Sequence, residues 1–162
     1  MTRGAPSERE RLDELAAEQN VPALVGTTAE LLVKRLDATA CTISRAIGDL
    51  LVDLVDHSPC GPVQAAHSYL ISSFPLTQAV LDEGTPQWVQ LDDLEADPQE
   101  TALMRRLGFD SLLMLRMECD ASPWGLVEVY DNRARGFTAE DVGTASRIIE
   151  SANHELSRLS SR

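Results

Sequence analysis

The stretch Ala40–Ser58, "ACTISRAIGDLLVDLVDHS", constrains the fold more than any other part of the chain. Gly48-Asp49 between two alternating runs predicts a two-residue β-hairpin turn, because glycine tolerates the positive φ that such turns demand. A turn there pairs Ile47 with Leu50, Arg45 with Val52, Ile43 with Leu54 and Cys41 with Asp56. One face is then mostly apolar, and the other carries Ser44, Asp53 and His57. A slip of one residue would exchange the faces, so turn and pattern together fix the register. An apolar sheet face needs cover.

Three amphipathic helices can supply it. Ser7 and Glu10 have the spacing of a capping box and predict a helix over 7–18, with Leu12, Leu15 and Ala16 on its apolar stripe. Asn20 caps a second helix that tolerates Pro22 in its first turn and runs to Asp37, burying Leu24, Val25, Leu31, Leu32 and Leu36. Near the C-terminus Thr138 caps a third, and Phe137 can staple onto Val142. Along it Val142, Ala145, Ile149, Ala152, Leu156 and Leu159 recur at alternating three- and four-residue steps, a narrow coiled-coil seam that Ile148 widens. At 1.5 Å per residue that helix is roughly 33 Å long, more than a domain of this size needs for cover. It is expected to pack one side on the sheet and the other on its counterpart in a symmetric homodimer. The alternative is that helices 7–18 and 20–37 of the same chain take up the whole seam.

Between these ends, "SPCGPVQAAH" reads as a loop and "SYLISSF" as a strand ending at Pro75. "PLTQAVLDEG" fits a short helix stopped by Gly84, and "PQWVQLD" a strand. Asp97 as cap, Pro98 at the first helical position and Glu100 closing a capping box predict a helix that ends at Gly108. "SLLMLRMEC" and "GLVEVYD" make a second hairpin around "DASPW". Antiparallel hairpins with segregated helices define an α+β class.

The 162 residues fit one domain with a sizeable core. No window approaches the ~18–20 unbroken apolar residues of a spanning helix, and the charged N-terminus lacks a secretory signal's apolar core, so a cytoplasmic protein is expected. Lys and Arg number 14 against 26 Asp and Glu, a net charge of -12, which disfavours nucleic acid and anionic membrane as partners. Cys41, Cys60 and Cys119 are odd in number and widely spaced, and His57, His67 and His154 add no ligand spacing, so neither a disulfide framework nor a metal site is expected. P-loop, G-x-S-x-G and H-E-x-x-H signatures are missing too.

Four segments, "ATACTISRAIGDLLVDLV", "FPLTQAVLDEGTPQWVQLDD", "LGFDSLLMLRM" and "GLVEVYDNRARGFTAEDV", occur in an order that resembles a GAF domain, a relative of PAS domains that binds small molecules in bacterial signalling proteins. Arg116 departs from the pattern by standing where the family carries a proline. The resemblance covers about residues 21–157. It implies a six-stranded antiparallel sheet with the terminal helices on one face and, on the other, short helices and loops forming a pocket. Residues 1–20 would be a helical extension and 21–159 the domain.

By that likeness the pocket is bordered by 69–92 and 97–113, with Ser72, Ser73, Phe74, Thr77, Trp88, Arg105, Arg106, Ser111 and Tyr130 as candidate contacts. An arginine among hydroxyls could hold a carboxylate, nitrate or phosphate; alternatively Arg105 and Arg106 lie on a solvated helix face. Trp88 is either a ligand platform or core. Bilin and haem, known ligands of the family, would need a cysteine or an axial histidine, and Cys60 and His67 are the nearest residues. The resemblance implies a non-catalytic small-molecule sensor of unspecified ligand, signalling through its terminal helices and a separate protein partner. Two alternatives stand beside it: a thiol-dependent free methionine sulfoxide reductase, and an interaction module without a ligand. For the reductase, Cys41 is expected buried and Cys119 is flanked by Glu118 and Asp120, which disfavour its thiolate.

Overall fold

A computed structural model describes residues 8–59, 68–132 and 136–161. Its elements follow the order α1 (Glu8–Ala16), α2 (Val21–Leu36), β1 (Ala40–Ile47), β2 (Leu50–His57), β3 (Ser68–Leu70), α3 (Pro75–Glu83), β4 (Gln87–Gln90), α4 (Pro98–Leu107), β5 (Ser111–Cys119), β6 (Ser122–Asp131) and α5 (Ala139–Ser160). The six strands form one antiparallel sheet in the order β3-β2-β1-β6-β5-β4. The capping box expected at Ser7 and Glu10 lies outside the described residues.

Strand alternation sorts the core into two layers. Cys41, Ile43, Leu113, Leu115, Met117, Val127 and Val129 face α1, α2 and α5. Ala40, Leu51, Val89, Leu112, Met114, Leu126 and Tyr130 point the other way, against α3 and α4. Central strands β5 and β6 are therefore covered on both faces, which is why they read as nearly continuous apolar runs. Glycine is required once in this interior: a Cβ on Gly125 would meet the Ser44 carbonyl oxygen of β1 at 2.3 Å.

The first hairpin turns at Gly48-Asp49 with Gly48 at φ 59, as its sequence predicts. Ile47 pairs with Leu50 and Arg45 with Val52, but a bulge between Ile43 and Ser44 shifts the rest, so Ile43 meets Val55 and Cys41 meets His57. The extra residue explains the departure from the expected Leu54 and Asp56 pairings, and it leaves Leu54 45% exposed. His57 thereby moves to the helix-covered face. The expected third strand is shorter than "SYLISSF", since Ile71–Ser73 close into a 3-10 turn. The second hairpin is tighter than "DASPW": Asp120 and Ala121 alone make the turn, both left-handed at φ 51 and 62.

Helix α5 opens as expected, with Thr138 and Asp141 in a reciprocal capping box. Its seam, however, is spent inside the chain. Ala145, Ile149, Ala152 and Leu156 are buried, as is Ile148, and Val142 and Leu159 pack partly buried against the same core. Their neighbours are α1, α2 and β5. Arg158 pairs with Glu155 and donates to the Glu18 carbonyl, tying α5 to the α1–α2 junction. The face expected to meet a second subunit is thus occupied by the chain's own helices, because α1 and α2 present enough apolar surface to fill it.

Candidate functional site

The compartment between the sheet and helices α3 and α4 is where the interior departs from hydrocarbon. Thr77 lies in the first turn of α3, which begins at Pro75, and its hydroxyl donates to Glu100 Oε1 at 2.6 Å. Glu100 occupies the third position of α4. The sequence predicts that its carboxylate reaches back to Asp97 and closes a box. Asp97 does cap, accepting from the Gln99 and Glu100 backbone N–H groups, but the Glu100 side chain turns inward and is 0% exposed. Its Oε2 accepts no hydrogen bond.

From the sheet, Glu128 of β6 points into the same compartment, 1% exposed, between two phenols. The Tyr69 hydroxyl donates to Oε1 at 2.5 Å and the Tyr130 hydroxyl to Oε2 at 2.7 Å. Burial, and then the charge of Glu128, push the Glu100 carboxyl up to about 7. Glu128 is also raised, by burial against the opposing effect of its two phenol donors. Both phenols are themselves driven upward by burial and by the neighbouring carboxylate, so they remain donors. Phe109 stacks on Tyr130 at 4.8 Å, and half-buried Tyr69 and Phe74 meet edge to face at 5.1 Å.

Two of the sequence candidates, Thr77 and Tyr130, thus converge on this compartment, and Phe74 borders it through Tyr69. The others are elsewhere. Arg105 and Ser111 line an outer cleft of about 340 Å³ with Gln90, Leu91, Asp92 and Asp110. Asp92 and Asp110 there oppose an anion that Arg105 and a hydroxyl could hold, and Arg105 is exposed as the solvated-face alternative has it. Arg106 is exposed on the solvated face of α4. Ser72 and Ser73 are exposed on the 3-10 turn, and Ser72 binds Asp49 of the first hairpin through its N–H and hydroxyl, an anchor for that turn. Trp88 pairs with Leu113 and so points to the helix-covered face, where it is 54% exposed; its neighbour Val89 takes the inward position. It is neither core nor pocket.

Glu100 and Glu128 are the residues that sequence reasoning missed. Glu128 in "GLVEVYD" looks like the solvent half of an alternating strand; only cover on both faces makes it interior. Arg116, the departure in β5, finds a structural role. It pairs with Glu118 and donates to the Leu81 and Asp82 carbonyl oxygens, satisfying the C-terminus of α3 beside Gly84.

The thiols do not gather here. Cys41 is fully buried on the helix-covered face, and burial raises its thiol, which keeps it protonated. Cys119 ends β5 against that same face, and Cys60 and His67 lie outside the described residues. Neither described cysteine can therefore carry a bilin in the compartment. The described histidines do not suit haem there either: His57 pairs beside Cys41, and His154 is exposed on α5. Among the described residues no group of three or more His, Cys, Asp or Glu could hold a metal ion, and no helix is long and apolar enough to cross a membrane.

Solved structures with this fold are numerous. The chain is similar to the chromophore-binding domain of an unusual bacteriophytochrome from R. palustris, with a TM-score of 0.82 at 11% identity, covering 94% of this chain and 61% of that one. It spans 37% of a longer bacteriophytochrome chain from the same organism. The phycocyanobilin-bound GAF domain of a cyanobacterial phytochrome matches over 96% of both chains, with a TM-score of 0.80 and 11% identity. No curated protein matches in sequence. The family model for the GAF domain matches residues 20–156, which is nearly the whole chain, and with the six-stranded sheet it places this protein in the GAF domain family.

Proposed function

We propose that the chain is a non-catalytic sensor domain whose small-molecule ligand binds in the compartment between the sheet and helices α3 and α4. One observation carries this reading. Two carboxyls, two phenols and a threonine hydroxyl are concentrated, nearly fully buried apart from half-buried Tyr69, where packing alone favours hydrocarbon. Burying such groups costs stability, so their retention points to use. Solved neighbours with this fold include chromophore-binding domains, which supports a small molecule as the class of ligand. Among the described residues Cys41 and Cys119 both lie against α1, α2 and α5 and neither faces this compartment, so the site lends the reductase alternative no support.

A route for the signal accompanies the site. Strands β5 and β6 run from the compartment to α5, whose side chains hold the far end of β5. Asn153 Oδ1 accepts from the Glu118 N–H, and Ser157 Oγ accepts from the Asp120 N–H, each at 2.9 Å. A shift of these strands on ligand binding would move α5, the surface offered to a separate signalling protein. Thermal-shift screening of a broad panel tests the sensor reading. A ligand at 100 times its Kd adds about 2.7 kcal/mol of stability, which is readily detected. A panel of cationic, anionic and neutral small molecules with no stabilising member would reject it.

A further inference from the structure

Glu100 and Glu128 place two carboxyls in the core with no cationic partner among the described residues. Neither forms an ion pair with a described Lys, Arg or His, and the hydroxyls of Thr77, Tyr69 and Tyr130 donate to their side chains. Asp97, the cap of α4, and Asp53 on β2 add negative charge around them. Glu100 Oε2, on a side chain 0% exposed, accepts nothing. An acceptor left in that state destabilises the fold. What the cluster lacks, among the described residues, is an N–H donor carrying positive charge.

The approach from solvent has matching chemistry. Tyr69 and Phe74 are half-buried, so they join the surface to the cluster, and the Tyr69 hydroxyl already touches Glu128. Aromatic faces attract cations through their quadrupole, most strongly where water is excluded. A carboxylate behind an aromatic pair is a suitable receptor for a protonated nitrogen on an apolar body. Anions meet the reverse: two buried carboxyls here, and Asp92 with Asp110 beside Arg105 in the outer cleft.

We propose that this compartment selects a small organic cation whose ammonium or amidinium nitrogen donates to Glu100 Oε2 while its apolar part lies against Tyr69 and Phe74. The proposal rests on the sensor reading above and names the ligand class for that site. A metal ion is not the cation meant, since no described cluster offers a ligand set for one.

Isothermal titration calorimetry of the full chain with benzamidine and agmatine, against citrate and nitrate, tests it. The cations should bind and the anions should not. Glu100→Gln keeps the side-chain shape and an acceptor for Thr77, so the variant should fold, as circular dichroism would verify. It should weaken cation binding by about tenfold or more, through loss of a charge-assisted hydrogen bond. Glu150→Gln on the exposed face of α5 removes the same charge and should leave binding unchanged. Phe74→Leu should weaken it without altering charge. Binding of the anions in place of the cations would overturn the ligand class and leave the sensor reading intact. Cation binding indifferent to Glu100→Gln would overturn the site. Failure of both cations and anions would overturn the cation proposal, and the sensor reading would then fall or stand on the wider screen.

Discussion

Replacing Glu100 by glutamine should stabilise the folded chain, and by an amount that depends on pH. The carboxyl is 0% exposed and its folded value rises from 4.5 to about 7. A raised value means that the folded state holds its proton more tightly than the unfolded chain does. Below the unfolded value both states are protonated and no penalty exists. As pH climbs from 4.5 to about 7 the unfolded chain ionises first, and stability falls; above 7 the loss is complete. At ~1.36 kcal/mol per pH unit, the penalty is under about 1 kcal/mol at pH 5 and roughly 3 kcal/mol at pH 8. Glutamine cannot ionise, so its advantage over the wild type should follow that curve. Glu128 is raised in the same direction, and its charge is one cause of the Glu100 shift, so the difference between variant and wild type reports on the coupled pair. Urea unfolding of both proteins at pH 5 and pH 8 gives the numbers. A variant less stable than the wild type at pH 8, or a difference that does not grow between pH 5 and pH 8, would refute the assignment of a buried ionisable carboxyl.

Other substitutions probe the scaffold that holds the site. Leu156→Glu puts a charge into the layer between α5, α1 and α2, and should cost at least about 3 kcal/mol or prevent folding; a stable variant that merely changes oligomeric state in light scattering would restore an intersubunit role for the seam. Arg116→Ala strips the cap from α3 and should lower stability by about 1–3 kcal/mol in the same urea assay, with no loss expected if its contacts were idle. Gly125→Ala collides with a backbone carbonyl on β1 and should be among the most damaging small changes in the sheet, read as lost soluble yield or a large drop in Tm. Ala121→Gly relieves a left-handed alanine in the second hairpin turn and should stabilise by about 0.5–1 kcal/mol; a neutral or negative result would argue against the turn's geometry.

Local rules carried much of the fold. The turn at Gly48-Asp49, the caps at Asn20, Asp97 and Thr138, and the stops at Gly84 and Gly108 are short-range chemistry, and the chain obeys them. What needed three dimensions was the choice of face. A bulge after Ile43 moved His57 across the sheet, and cover on both faces turned Glu128 from a solvent position into an interior one. Glu100 shows the limit most clearly. Its spacing from Asp97 fits a capping box, but Thr77, far away in sequence, offers a hydroxyl from α3 and draws the carboxylate inward. The seam of α5 was legible as apolar periodicity, yet periodicity does not say which chain supplies the other half.

The central claim is that the compartment holding Glu100 and Glu128 receives the ligand. Amide shift mapping by NMR tests it directly, titrating isotope-labelled protein with benzamidine. The account predicts that the largest perturbations fall on Thr77, Glu100, Glu128 and Tyr130, with Tyr69 and Phe74 beside them. Shifts confined to the outer cleft of Gln90, Arg105 and Ser111, or to the exposed surface of α5, would contradict it.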